Sequence, residues 1–347
     1  MLKELGIRFP IIQAPMAGVS TPALAAAVSN AGGLGSLGLG ASTVTQARAA
    51  IEATQALTDR PFGVNVFCHH PAQRDPELEA SWIKHLSPLF AEFGVDSPAE
   101  LAEIYKSFVG DTEALEMLLD TRPAVVSFHF GLPSPSQISA LKNARIRTMA
   151  TATNLQEAEA ISEAGIDAII AQGIEAGGHR GIFDPQAIDE RLSTFVLTRL
   201  LVNNFKLPIV AAGGVMDGQG IRATLDLGAT AAQLGTAFIL SPESAASPGY
   251  RANLKSEKAG VTRLTPVLSG RPARGIVNRF IEHCEAVGSP LPVSYPVAYD
   301  LAKQLHAAAA KHGLEDFAAH WAGQGAPLTR ELPAEELVKV LVAEAML

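Results

Sequence analysis

Several features that would place a chain outside the cell, in a membrane or on a nucleic acid are missing from this sequence. It has 2 cysteines in 347 residues, Cys68 and Cys284, too few for a disulfide framework and too far apart for a CxxC site. A reducing cytoplasm is therefore the expected setting, although two cysteines can still pair. Basic residues are in the minority, 27 Lys and Arg against 35 Asp and Glu, for a net charge of −8. No Lys/Arg run or stripe appears, which argues against a nucleic-acid partner. No run of about 18 apolar residues is present, so no transmembrane helix is expected. The opening MLKELGIRFPIIQAP lacks the longer apolar stretch of a signal peptide. The first apolar segment runs into QAPMAGVST and not into a glycine-rich dinucleotide fingerprint, which disfavours a doubly wound nucleotide-binding sheet. His69 and His70 follow Cys68, but no fourth ligand with suitable spacing accompanies them, so no metal is expected. The pattern does not distinguish a monomer from a homodimer.

What is present is an alternation. The composition, 48% hydrophobic and 18% charged, is that of a globular chain with ample length for a large core. Short, nearly continuous apolar segments recur: PIIQAP at 10–15, GLGSLG at 33–38, FGVNVF at 62–67, AVVSFHFG at 124–131, IRTMATAT at 146–153, DAIIAQG at 167–173, LPIVAAGG at 207–214 and AAQLGTAFI at 231–239. Strands of this kind are buried on both faces, as in a parallel sheet. Amphipathic runs such as NLQEAEAISEAG at 154–165 lie between them. Eight strand–helix units predict an α/β fold, a (β/α)8 TIM barrel. Two stretches break the alternation. Residues 72–122 read as a helical insertion after the third strand, and 250–320 as a helical lid after the eighth. The barrel then comprises 1–71, 123–249 and 321–347, with a closing amphipathic helix in 333–347.

Barrel chemistry sits at the C-terminal strand ends, so those ends are an inventory of candidates. The first ends in Ala14-Pro15-Met16, the third at Asn65, the fourth at His129 and the fifth at Thr151. The sixth ends at Gln172 and continues to Gly177, Gly178 and His179. The seventh ends in Gly213-Gly214, and the eighth carries Gln233, Leu234, Gly235 and Thr236. Loops after strands seven and eight are where many barrels hold phosphate, and glycine lets backbone N–H groups approach its oxygens. The amides Asn65, Gln172 and Gln233 need hydrogen-bond partners at an otherwise apolar mouth, and the edge of an isoalloxazine would supply them. Satisfaction by loop backbone is the alternative for each. Met16 is suited either to pack flat against a ring or to fill core. His129 either lines the pocket or holds the FGLP turn. Tyr295, Tyr299 and Lys303 are spaced to share one helix face, where they either offer hydroxyls and a cation to an anionic substrate or pack structurally.

Taken together and in this order, QAPMAGVST, GVNVF, VVSFHFGLP, EAGGHRG and YPVAYDLAK resemble the class I nitronate monooxygenases, over nearly the whole chain. EAGGHRG alone is not specific, since flavin-dependent enoyl-acyl carrier protein reductases carry a similar stretch. The resemblance implies non-covalent FMN at Asn65, Gln172, Gly177, Gly214 and the Gln233–Thr236 run, with His179 as the active-site histidine. It implies oxidation of alkyl nitronates by O2 to a carbonyl compound and chiefly nitrite, a detoxification for which propionate 3-nitronate is the characteristic substrate. A histidine with a pKa near 6.5 would hydrogen-bond such an anion as a cation or as a neutral donor, or act as a base toward a neutral nitroalkane. The alternatives are an FMN-dependent NAD(P)H reductase of enoyl thioesters or quinones and a non-catalytic flavin- or phosphate-binding module.

Overall fold

A computed structural model describes residues 4–347. Eight strands form one all-parallel sheet: β1 (Ile11–Gln13), β2 (Gly35–Gly38), β3 (Phe62–Phe67), β4 (Val125–His129), β5 (Arg147–Ala152), β6 (Ala168–Gln172), β8 (Ile209–Ala212) and β9 (Ala231–Leu234). Between β6 and β8 in the chain lies β7 (Gly178–His179), which joins β10 (Thr262–Thr265) and β11 (Ala273–Ile276) in a separate antiparallel sheet. The large sheet runs β1-β9-β8-β6-β5-β4-β3-β2. It closes where the Gln13 N–H donates to the Leu34 carbonyl and the Leu34 N–H to the Ile11 carbonyl, both at 2.9 Å. The result is the (β/α)8 barrel that the alternation predicts.

The continuous apolarity of the strands follows from burial on both faces. Along β4, Val125 points into a cluster with Ile12, Leu34, Met149 and Ile170, while Val126 points outward against Ile138, Leu141 and Leu118. Eight helices form the outer ring: α1 (Pro22–Asn30), α2 (Val44–Leu57), α4 (Thr112–Thr121), α5 (Pro135–Asn143), α6 (Leu155–Glu163), α7 (Thr194–Asn204), α8 (Gly218–Asp226) and α12 (Ala334–Glu344). Their starts are set locally. Thr43 with Gln46 and Ser134 with Gln137 make reciprocal capping boxes at α2 and α5. The tail helix α12 completes the ring, with Leu337 and Leu341 in one cluster with Leu24 of α1 and Ile221 of α8.

The remaining helices are α3 (Pro76–Ala91), α9 (Pro248–Leu254), α10 (Arg279–Cys284) and α11 (Val297–Ala310). Trp82, Leu86 and Phe90 of α3 share a core with Phe280, Leu301 and Leu305 of α10 and α11. Two stretches some two hundred residues apart thus form one helical layer. The sequence reading differs from this in two places. The segment 72–122 is not wholly an insertion, because α4 sits in the barrel ring, where Met117 and Leu118 pack against Ile51 and Ile138. The segment 250–320 is not wholly helical, because β10 and β11 lie within it. In the second case β10 and β11 form an antiparallel hairpin of their own, whose outer edge pairs with β7. Among the described residues no helix is long and apolar enough to cross a membrane, and Cys68 and Cys284 are both buried and free.

Candidate active site

The C-terminal strand ends open into a cavity of about 670 Å³. Ala14, Pro15 and Met16 follow β1 along one wall, and Asn65, His129, Thr151 and Gln172 reach it from β3, β4, β5 and β6. Gly213 and Gly214 after β8, and Gln233, Gly235 and Thr236 in and after β9, complete the floor. Gly177, Gly178 and His179 form a side wall, and Tyr295, Tyr299 and Lys303 come down from above. Leu234 is the exception among the sequence candidates. Its side chain is buried with Ile11 and Phe238, because alternate residues of a strand face opposite sides, and only its carbonyl turns toward the site, accepting from the Ala14 N–H at 2.8 Å.

The floor after β8 and β9 is a set of unused donors. Among the described residues, the N–H groups of Gly213, Gly214 and Gly235 find no acceptor in the protein. A row of backbone N–H groups without protein acceptors, lining a cavity, suits an anion such as phosphate. Gly213 and Gly214 have φ of +120° and +70°, a region that L side chains rarely adopt, so the turn that exposes these N–H groups requires glycine. Thr236 opens a short 3-10 turn, and its Oγ1 accepts from the Gly323 N–H at 3.0 Å.

The three amides divide. Asn65 donates from Nδ2 to the Ser127 carbonyl at 3.1 Å and to Ser127 Oγ at 2.9 Å. Gln172 is used at both ends: its Nε2 donates to the His179 carbonyl at 3.0 Å and its Oε1 accepts from the Gly181 N–H at 2.7 Å. These bonds leave one N–H and one lone pair of the amide, which still lines the cavity. The Gln172 amide ties the EAGGHRG loop to the barrel, as the loop-backbone alternative holds. No hydrogen bond to the Gln233 amide is found among the described residues, so this amide remains available to a ligand.

His179 lies in β7, paired with Ala273 of β11. Its carbonyl also accepts from His129 Nε2 at 3.1 Å. A carbonyl has no proton to give, so His129 carries its proton on Nε2 and accepts at Nδ1 from Thr151 Oγ1, 3.1 Å away. His129 therefore both lines the pocket and holds the His179 loop. The His179 ring is surrounded by aromatic rings, with centroids at 5.2 Å from Trp321, 5.5 Å from Phe130 and 5.6 Å from Tyr295. Burial, aided by His129, Arg271 and His69, lowers its pKa from 6.5 to about 3. Burial likewise lowers His129 to about 4. His179 is thus neutral near pH 7, which of the cation and the neutral ring leaves the neutral one.

Positive charge resides elsewhere. Among the described residues no carboxylate lines the cavity, and Lys303 is the one Lys or Arg that does. Lys303 Nζ donates to the Tyr105 hydroxyl at 3.0 Å and lies 5.3 and 5.8 Å from the Tyr105 and Tyr299 ring centres. Tyr299 and Lys303 sit on α11 as the spacing suggested, but Tyr295 precedes the helix, which begins at Val297. Burial raises Tyr105 and Tyr299 to about 12 and Tyr295 further, so all three are protonated donors.

The sequence reading missed Tyr105, Tyr250, Trp321 and Ser269. Scarcity is the signal that could have found three of them: the chain has four tyrosines and two tryptophans, and Tyr105, Tyr250, Tyr295, Tyr299 and Trp321 all line this one cavity. The Tyr250 hydroxyl donates to the Trp321 carbonyl, which anchors the segment leading to Gly323.

A closed parallel barrel with a tyrosine-rich, carboxylate-free cavity at its C-terminal strand ends defines a TIM-barrel enzyme. Comparison with known proteins specifies it further. The family model for nitronate monooxygenase matches residues 1–344. The chain is 57% identical to a nitronate monooxygenase of Paraburkholderia phytofirmans over 99% of this chain and 94% of that one. It is 55% identical to a nitronate monooxygenase of Pseudomonas aeruginosa over 98% and 97%. Among solved structures it resembles nitroalkane oxidase from Streptomyces ansochromogenes, with a TM-score of 0.91, 42% identity and coverage of 99% and 97%. It also resembles FabK from Thermotoga maritima, with a TM-score of 0.75, 28% identity and coverage of 99% and 95%. The chain belongs to the nitronate monooxygenase family.

Proposed function

We propose that this protein oxidises alkyl nitronates with O2 by means of non-covalently bound FMN, releasing a carbonyl compound and nitrite, and that propionate 3-nitronate is its preferred substrate. The observation that carries the anionic substrate is Lys303, a cation without a carboxylate partner on a cavity wall otherwise lined by tyrosine hydroxyls. Such a cation is retained where an anion is to be received. The cavity suits FMN. The idle N–H groups of Gly213, Gly214 and Gly235 would take its phosphate, and Gln233 would meet a ring edge with its free amide. FMN, when bound, supplies the electron-accepting ring and the route to O2.

The protein's part is positional. Lys303, Tyr105 and Tyr299 neutralise and orient the substrate anion. His179, Trp321 and Tyr295 enclose it and exclude water. The loop carrying His179 is held by Gln172 and His129, so the ring does not have to be ordered on binding. The buried, unpaired thiols suit a reducing, cytoplasmic setting. The likeness to FabK supports an NAD(P)H-dependent reductase as the second reading. Anaerobic mixing separates the two: propionate 3-nitronate should bleach the flavin far faster than NADH. Faster reduction by NADH would overturn the nitronate reading in favour of the reductase.

A further inference from the structure

Ser269 lies in the loop between β10 and β11, is fully buried at 0% exposure, and touches His179 from the side away from the cavity. We infer that Ser269 fixes the tautomer of His179, holding the ring proton on Nε2 and presenting a bare Nδ1 to the cavity. The inference rests on the reading of His179 as the substrate-facing histidine.

The geometry around one oxygen decides the matter. Ser269 Oγ is 2.9 Å from His179 Nε2, 3.1 Å from the Arg271 carbonyl oxygen and 3.3 Å from the Arg271 N–H. A hydroxyl has one proton and two lone pairs. The carbonyl has no proton, so the hydroxyl proton belongs on the line to Arg271 O; otherwise two oxygens would face each other across 3.1 Å with nothing between them. The Arg271 N–H occupies one lone pair. What remains toward His179 is an acceptor, and a 2.9 Å contact there requires an N–H on the ring. The opposite tautomer would turn the serine proton to the histidine and leave the carbonyl contact repulsive in a place sealed from water.

Both ends of the contact are held. His179 is fixed at its carbonyl by Gln172 and His129 and paired through β7 with β11, which anchors the backbone that carries the ring beside the serine. His179 Nδ1 has no protein partner, is not among the sealed polar atoms, and belongs to a ring that lines the cavity. Toward a substrate the ring is therefore an acceptor, which takes a hydrogen bond or a proton. Donation to the anion falls to Lys303 and the tyrosine hydroxyls. Ser269 acts through His179 and is a positioning residue.

The test is long-range 1H–15N NMR of the flavin-loaded protein labelled with 15N-histidine, recorded without substrate, with the His179 signals assigned by their loss in His179→Asn. The wild type and Ser269→Thr should show a protonated Nε2 and a bare Nδ1. Ser269→Ala should show averaged nitrogen shifts, with kcat/KM for propionate 3-nitronate down roughly tenfold, the equivalent of one modest hydrogen bond. A protonated Nδ1 in the wild type, or an unchanged pure Nε2–H tautomer in Ser269→Ala, would overturn the inference. If Ser269→Ala does not fold, the wild-type spectrum still decides. Failure of nitronate turnover would remove the proposed function and leave the tautomer result standing.

Discussion

Where the floor of the cavity offers backbone N–H groups and glycines at the ends of β8 and β9, the roof offers four long side chains, Tyr105, Tyr295, Tyr299 and Lys303, drawn from two distant parts of the chain. The anion-facing part of the floor depends on glycines without side chains. A turn with φ of +120° and +70° at Gly213 and Gly214 admits few replacements, and its donors belong to the main chain. The roof depends on side chains alone: Tyr299 and Lys303 come from α11, which shares a core with α3 and α10, while Tyr105 and Tyr295 come from the segments beside those helices. Changes to the floor should therefore cost cofactor, and changes to the roof should cost substrate while leaving cofactor in place.

The strongest way to break this division is Gly214→Asp, which combines a strained backbone with a carboxylate beside the idle N–H groups. The purified variant should contain no flavin while keeping its far-ultraviolet circular dichroism. Retained flavin would mean that the phosphate site lies elsewhere.

Next in size is His179→Asn, which stands between the two regions. It should keep FMN, since the floor donors are untouched, and lose roughly tenfold in kcat/KM on propionate 3-nitronate, the equivalent of one neutral hydrogen bond of about 1.4 kcal/mol. His129→Asn, which acts on the loop from behind, should lose less. The reverse order would move the substrate contact to His129.

A purer probe of the roof is Lys303→Met. It should leave flavin content unchanged and lower kcat/KM for the anionic substrate by about tenfold, the low end for a charge-assisted contact. An unchanged value would show that the lysine serves only its bond to Tyr105.

The smallest expected effect concerns stability. His69, His129 and His179 are held neutral by burial, at about 4, 4 and 3, against about 6.5 in an unfolded chain. Above about pH 6.5 neither state binds protons at these rings. Below it the unfolded chain takes them up first, so stability falls as the pH drops from about 6.5 toward 4. The Tm should be lower at pH 5 than at pH 7.5. His69, under the roof, has both ring nitrogens without partners, and His69→Leu should narrow that gap. An unaltered gap would assign the acid sensitivity to His129, His179 or carboxylates.

How much of this could be read in advance differs between the two regions for the same reason. The floor residues Gly213, Gly214, Gly235 and Thr236 sit within three residues of a strand end, and the strand reveals itself by a short apolar run. Tyr105 had no such anchor. It follows α3 in a stretch that reads as polar helix, and only the packing of α3 on α10 and α11 sets it against Lys303. Gln172 was legible as a site residue but not in its task, because its partners, the His179 carbonyl and the Gly181 N–H, become neighbours only when the loop folds back. The charge of His179 stayed open between cation and neutral ring in the sequence, because a reference pKa takes no account of the rings around it.

The sequence by itself determined the barrel, its eight-fold alternation and the glycine floor, since each of these rests on hydrophobic periodicity or on a backbone conformation that only a nearby residue can permit. Tertiary structure alone decided the roof, the joining of 76–91 to 279–310 in one helical layer, the neutral state of His179 and its contact with Ser269. Those depend on burial and on side chains that meet across as many as two hundred residues, and neither desolvation nor a long-range contact is encoded in the local order of the chain.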